Sequence, residues 1–511
     1  MEDAVTVSDF VVAGLLFLVV FGTGIVHLES LPPLWFDEGW TVCVARTWVE
    51  KSHYGCLLQG ELAAPVLSGH FPVAASIALS FRLFGIGIWQ ARLVGLLYTF
   101  GAFFMLYVVG RRLYNQTVAM AALGLLIFVP FKWSIHPLFL GRQVLGEMPM
   151  LFFLLAGFAC VLRTKDCRGW LAAAVGCWSI AWMAKGQVAP FFIASLAGTA
   201  LLTAFRGEWC TARRLIMLLG GSWGGYQCLL AAKSLLLAGH TLPNPPTNGL
   251  TEAIAVVFVP SIRLETIGYM LLSWPEYTIG LVYAAWKLCR AESVHREEAL
   301  VQTVRTMLLV LSGSWLAWFA LLSAGEPRYA FPGLFIAASF TAALLYDFTK
   351  GFSATFVRDA LSALVETRRM TFDGAKGLVA VVLLFAMGWV TAQERYAFRA
   401  REDERDLVEL IAYLHTATPP TALIETYDSE LFLFLNRRYT YAPPQVLVEV
   451  IRHHQDSNHP VTYDPLQAQP DLLVVGEYGR WAEFYRPLIQ QGRVRLVQTI
   501  GRYQIYEPVG T

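Results

Sequence analysis

Leu31-Pro32-Pro33-Leu34-Trp35-Phe36-Asp37-Glu38-Gly39-Trp40 sets two adjacent carboxylates just beyond the first long apolar segment of the chain. Carboxylates at a bilayer boundary are costly unless they face water, a cation or a reacting group, so the pair is a candidate for function. A plainer reading stands beside it: Asp37 can cap a helix running from about 38 to 51, since Asp is a favoured N-cap and an acid suits that end of the dipole. The surroundings of the pair decide between the two.

Around this stretch the composition is that of a membrane protein. Of 511 residues, 56% are hydrophobic and 15% charged, and the mean hydropathy is +0.50, too apolar for a soluble domain of this size. A net charge of +1 gives no electrostatic footprint for nucleic acid. Eight scattered cysteines form no CxxC pair and no zinc-like spacing. Cys43 and Cys56 fall in one loop read as extracytoplasmic, where a disulfide is chemically permitted. The N-terminal residues Glu2, Asp3 and Asp9 are acidic, and the apolar run at 11–27 reads as a retained span.

Apolar windows of spanning length fall at 10–28, 88–110, 117–133, 147–163, 169–185, 187–205, 214–238, 268–288, 304–323, 329–348 and 376–393. Residues 70–85 add an interfacial helix. Between the windows, Arg111 and Arg112, Arg163 to Arg168, Arg206 to Arg214, Lys287 to Arg296 and Lys350 to Lys376 all fall on one side, which the positive-inside rule makes cytoplasmic. The N-terminus is then cytoplasmic, and the first loop (29–87), residues 134–146, 185–187, 239–267, 323–328 and everything after about 395 lie outside. These readings give a polytopic α-helical membrane protein of about 11–13 spans over residues 1–393, with outer-face amphipathic helices in the first loop. After a charged run, residues 394–511 read as a small extracytoplasmic α/β domain: a helix at 407–414, strand-like runs at 422–425 and 472–475, and a terminal hairpin of 494–500 with 503–506 about Gly501. The expectation for this tail is a lid or packing module without chemistry of its own. The Pro/Asn-rich segment at 242–248 reads as an exposed turn.

The outer face collects further charges: Arg142 and Glu147 in the stretch 136–149, Lys185 between two spans, and Arg328-Tyr329 before another. A lone basic residue there is commonly a snorkelling anchor, and Glu147 suits a helix N-terminus. Three cations on the face otherwise poor in them, beside two to three carboxylates, suggest an anion held next to a general base. Sugar transfer from a lipid phosphate needs such a set: a carboxylate to take the acceptor proton and cations where charge develops on the leaving phosphate. No nucleotide-binding glycine motif occurs in the expected contexts.

On these residues the chain resembles the C superfamily (GT-C) of membrane glycosyltransferases, and within it the protein O-mannosyltransferase and lipid A aminoarabinose transferase group. Asp37-Glu38 match that group's acidic pair in the first outer loop. The run from Gly69-His70-Phe71-Pro72 through Gly85, with Ala91-Arg92-Leu93 and Gly110-Arg111-Arg112-Leu113, is similar to its stretch into the second span. Arg142, Glu147, Lys185-Gly186 and Arg328-Tyr329 fall where the group has comparable residues; where the group often has two prolines after its His, His70 is followed here by Phe71-Pro72. The resemblance implies inverting transfer from a polyprenyl-phosphate sugar to a lipid, glycan or protein acceptor in the cell or plasma membrane. It implies Asp37 as base, Glu38 as acceptor or orienting residue, and Arg142, Lys185, Arg328 and Tyr329 at the donor phosphate, with Glu147, His70 and Arg92 as additional candidates. No cofactor is demanded; a divalent cation beside the acids is compatible with them, although no His/acid spacing requires one. Two other classes remain open: a transporter or flippase of lipid-linked glycans, with polar residues in interrupted spans at mid-membrane, and a non-catalytic relative that binds lipid.

Overall fold

A computed structural model describes residues 7–65, 70–128, 135–164, 167, 169–242, 259–290, 296–367, 374–383, 405–455 and 459–509. The turn at 242–248, beyond its first residue, and the expected boundary at 393/394 lie outside them, as do most of the charged run after 393.

Each apolar window is mainly helical over its described part. Among the described residues, six helices are long and apolar enough to cross a membrane: Val7–Gly24, Ile88–Leu113, Val188–Phe205, Trp209–Leu236, the stretch within Arg296–Leu322, and Phe331–Phe348. Shorter apolar helices, Gln116–Phe128, Glu147–Leu162, Gly169–Ala184 and Gly374–Leu383, accompany them. Phe331–Phe348 is the hub. Every residue from Phe331 to Leu345 is buried, against partners that include Trp315 and Phe103. Peripheral helices instead present Phe10, Leu18, Phe205 and Leu235 outward, as expected of surfaces whose solvent is hydrocarbon and whose backbone bonds are satisfied internally.

The window at 268–288 is broken. A π-helical turn, Tyr269–Ser273, ends at Trp274, and a new helix, Pro275–Arg290, begins on Pro275. Proline cannot continue a helix but suits the first position of one; the apolar run is unbroken in hydropathy, which hides the break.

In the first loop, Phe36–Lys51 and Phe71–Phe84 are helical, with a short hairpin, Cys56–Leu58 against Glu61–Ala63, between them. The tail forms a five-stranded mixed sheet in the order Arg438–Thr440, Leu423–Thr426, Leu472–Val475, Tyr503–Pro508, Val494–Ile500. The first three strands run parallel and the terminal hairpin pairs antiparallel, with a bulge between Leu496 and Gln498.

The core of the tail continues into the first loop. Trp40, 1% exposed, has its ring centroid 4.9 Å from Phe432 and 4.8 Å from Tyr441, and Phe36 lies 5.1 Å from Tyr427 and 5.0 Å from Tyr478. Ser429 Oγ donates to the Phe36 carbonyl at 2.5 Å. Gly39 makes the approach feasible: a Cβ there would stand 2.4 Å from Ser429 backbone atoms. Gly39→Ala therefore forces the helix and the tail apart, at an expected cost of about 1–3 kcal/mol; the check is earlier thermal unfolding together with faster limited proteolysis of the tail. Cys43 and Cys56 are buried free thiols, and Cys43 Sγ lies 3.3 Å from Tyr439 Oη, so the permitted disulfide is not formed in this structure.

The tail also buries acids. Burial pushes Glu425 up to about 8 although Tyr463 and Tyr485 hydroxyls donate to its Oε1 at 2.9 and 3.0 Å. Burial, reinforced by Asp428, likewise pushes Glu430 to about 8. Both folded values lie above the ordinary 4.5, so the folded state binds protons more tightly than the unfolded one. Their stabilising contribution is complete below about pH 4.5 and is lost as pH rises through about 8. Thermal melts should show the tail more stable at the acid end of this window, and Glu425→Gln should flatten the dependence.

Candidate active site

Four charged side chains from four separate segments meet at one end of the helix bundle. Asp37 Oδ2 accepts from Arg328 Nη2 at 2.5 Å, Arg328 Nε lies 3.5 Å from Glu147 Oε1, and Lys185 Nζ donates to the same Glu147 oxygen at 2.5 Å. Asp37 stands in the first turn of Phe36–Lys51, Glu147 opens Glu147–Leu162, Lys185 follows Gly169–Ala184, and Arg328 sits in the 3₁₀ turn Pro327–Tyr329. Gly146 lets two of these segments touch, because a Cβ there would lie 2.6 Å from the Ala184 carbonyl oxygen.

Exposure grades across the cluster. The Asp37 side chain is 24% exposed, Lys185 15%, Arg328 13% and Glu147 1%. Glu147 is thus the buried counter-ion and Asp37 the carboxylate that water or substrate can reach. Against the opposing effect of burial, Asp37 and then Glu147 hold Arg328 more firmly protonated than usual. Burial holds Lys185 below its ordinary value despite Glu147. His70 faces Gly146 across from Lys185; burial and then the Lys185 charge push it down to about 4, so its imidazole is neutral at pH 7. Trp35 and Tyr329 flank the Arg328 guanidinium at 5.6 and 5.9 Å.

Three sequence candidates stand elsewhere. Glu38 is fully buried and bidentate with Arg92, Nε to Oε1 and Nη2 to Oε2 both at 2.8 Å. It also accepts from the backbone N–H of Trp35 at 3.3 Å and of Val144 at 3.2 Å. Trp35 is the N-cap residue, so Glu38, and not Asp37, closes the helix start. Arg92 further donates to the Leu28 carbonyl at 2.9 Å. Arg142 donates to the carbonyls of Thr23, Val26 and Leu31. Two arginines therefore satisfy the carbonyls of the segment that leads from the first helix to Asp37, as buried backbone acceptors require. Glu38 and Arg92 thus pair within this scaffold, and Arg142 binds it through Nη1 and Nη2 while its Nε is buried without a hydrogen-bond partner.

Sequence reasoning missed the tail's share. Tyr478 packs on Trp35 with ring centroids 5.6 Å apart, and Ser429 holds the carbonyl next to Asp37; neither contact has a local signal in the sequence. Among the described residues no group of three or more His, Cys, Asp or Glu is arranged to hold a metal ion, and both acids of the cluster already face cations.

The comparisons with known proteins follow from this geometry. The dolichyl-phosphate-mannose-protein mannosyltransferase family matches by sequence over residues 70–222. No curated protein matches the chain. Among solved structures, ArnT from Cupriavidus metallidurans bound to undecaprenyl phosphate is similar over 99% of both chains, with a TM-score of 0.56 at 14% identity. The oligosaccharyltransferase of Archaeoglobus fulgidus in the apo form is similar over 92% of this chain and 69% of that one, with a TM-score of 0.54 at 12% identity. Its AglB complex with an inhibitory peptide and a dolichol-phosphate gives 0.53 at 11% identity over 92% of this chain and 69% of that one. The chain is an integral membrane protein with a GT-C fold, and it resembles the O-mannosyltransferase and aminoarabinose transferase group.

Proposed function

We propose that this chain transfers a sugar from a polyprenyl-phosphate donor to an acceptor at the extracytoplasmic face, with inversion at the anomeric carbon. The observation that carries the reading is the linked set Asp37, Arg328, Glu147 and Lys185, in which the most exposed member is a carboxylate and two cations share the buried one. The acceptor oxygen bonds to the anomeric carbon as the bond from that carbon to the phosphate oxygen breaks. Asp37 takes the acceptor proton. Lys185 and Arg328 stabilise the charge left on the phosphate, in a site where fixed charges need no reorganisation. Glu147 keeps both cations aimed, and Tyr329 and neutral His70 border the donor. The fold shared with structures bound to undecaprenyl phosphate and dolichol-phosphate supports a polyprenyl phosphate as the lipid.

The test is purified protein in proteoliposomes with a panel of polyprenyl-phosphate sugars and membrane-extract acceptors. Wild type should transfer one of them, and Lys185→Gln should raise the donor KM by about ten- to a hundredfold, the worth of a hydrogen bond to a charged group. No transfer from any donor would overturn the reading. The interrupted helix at Tyr269–Ser273 suits a transporter instead; movement of lipid-linked sugar across vesicles without acceptor would favour that class.

A further inference from the structure

The far ends of the same helices hold a second polar site. Where Ile88–Leu113, Pro275–Arg290, Arg296–Leu322 and Phe331–Phe348 converge, a cavity of about 130 Å³ is lined by Tyr283, Lys287, Arg305 and Asp347, with Leu309 and Phe340 as its apolar wall. Arg305 precedes Leu322 by 17 residues, a rise of about 26 Å. The cavity is therefore roughly one hydrocarbon thickness from the Asp37 cluster.

Two of its donors meet on a single oxygen. Lys287 Nζ and Tyr283 Oη both donate to Asp347 Oδ2, at 2.7 and 2.8 Å. Arg305 is fixed on three sides: Nη1 donates to Gln302 at 3.1 Å, Nη2 to the Leu113 carbonyl, and the guanidinium carbon lies 4.5 Å from the Tyr114 ring centroid. Its Nε is buried with no partner. Two cations, Lys287 and Arg305, against one carboxylate, Asp347, leave the cavity net positive. Two donors converging on one anionic oxygen, with the Arg305 guanidinium lining the same cavity, are a frame for a tetrahedral oxyanion, with Asp347 standing in its place. Val282 and Trp286, on the helix that carries Tyr283 and Lys287, are 65% and 45% exposed and give a hydrocarbon tail an apolar surface beside that anion.

We infer that this cavity binds the phosphodiester headgroup of an anionic phospholipid, in the leaflet opposite the Asp37 cluster, with Lys287, Tyr283 and Arg305 as its ligands. Basic pockets between spans recognise anionic headgroups in this way, and a guanidinium fixed by stacking is suited to phosphate. A zwitterionic headgroup would bring a second cation to a site already positive.

Native mass spectrometry of the full chain, exchanged into equal phosphatidylglycerol and phosphatidylcholine, tests the assignment. Wild type should retain phosphatidylglycerol about tenfold over phosphatidylcholine, equivalent to about 1.4 kcal/mol. Arg305→Gln and Lys287→Gln should each bring retention close to parity, and Asp347→Asn, which removes the competing acceptor, should raise it. Lys287 is 54% exposed, so its variant tests the site even where Arg305→Gln fails to fold. Lys185→Gln, at the other end of the bundle, should keep the preference. Equal retention of the two lipids by wild type, an unchanged preference in Lys287→Gln, or loss of preference in Lys185→Gln would overturn the proposal. So would retention of inorganic phosphate without preference between the lipids, which would make this a free-anion site.

Discussion

Asp37→Asn should lower the rate of sugar transfer by about 10²- to 10⁴-fold, the usual contribution of a positioned general base, while the protein remains folded. The amide keeps the shape of the carboxylate and can still accept from Arg328, now 2.5 Å away, but it cannot take a proton from the acceptor. Arg328 keeps Glu147 as a counter-ion, so its charge stays compensated and the thermal midpoint should move little. The donor KM should change far less than kcat, because Lys185 and its partner Glu147 are untouched. A parallel fall in kcat and in unfolding temperature would instead make Asp37 a structural partner of Arg328. Unchanged transfer would remove it from the chemistry.

Arg92→Met should have the largest effect on stability. It leaves the Glu38 carboxylate at 0% exposure without its bidentate cation and removes the donor to the Leu28 carbonyl. Breaking one side of a buried pair costs about 3–5 kcal/mol, a large part of a typical total of about 5–15 kcal/mol. Little folded protein is expected, read by fluorescence-detected size exclusion and thermal unfolding. Adding Glu38→Gln should recover part of the loss, because a neutral amide no longer strands a charge. The same logic separates two roles for Glu38. A residue orienting the acceptor would lose rate at constant stability in Glu38→Gln; the buried geometry predicts lost stability, with the rate per folded molecule largely kept.

The charges of the site could be read from the chain because each stands at the end of an apolar window, where an ionised group needs a reason. Glu147, Lys185 and Arg328 do meet Asp37. Arg142 satisfies the same criterion and yet binds main-chain carbonyls of residues 23–31. Carbonyl demand has no residue signature, so an arginine spent on a loop looks identical in sequence to one awaiting a phosphate. Glu38 was paired with Asp37 by adjacency, but successive residues of a helix diverge by about 100°, and one acid faces Arg92 while the other faces the cluster. The terminal hairpin was legible from alternation about Gly501. The strand Arg438–Thr440 is three residues long, too short to show a period, and the docking of the tail on Trp40 and Phe36 rests on aromatic contacts nearly 400 residues apart in sequence. The core of the tail is completed by the helix that carries Asp37.

Cryo-electron microscopy of the protein with a short-chain polyprenyl phosphate, compared with Lys185→Gln under the same conditions, tests the central claim most directly. The account predicts phosphate density within hydrogen-bond distance of both Lys185 Nζ and the Arg328 guanidinium, beside Asp37, and its loss in the variant. Phosphate bound elsewhere, with the Lys185–Glu147 and Arg328–Asp37 pairs intact, would contradict it.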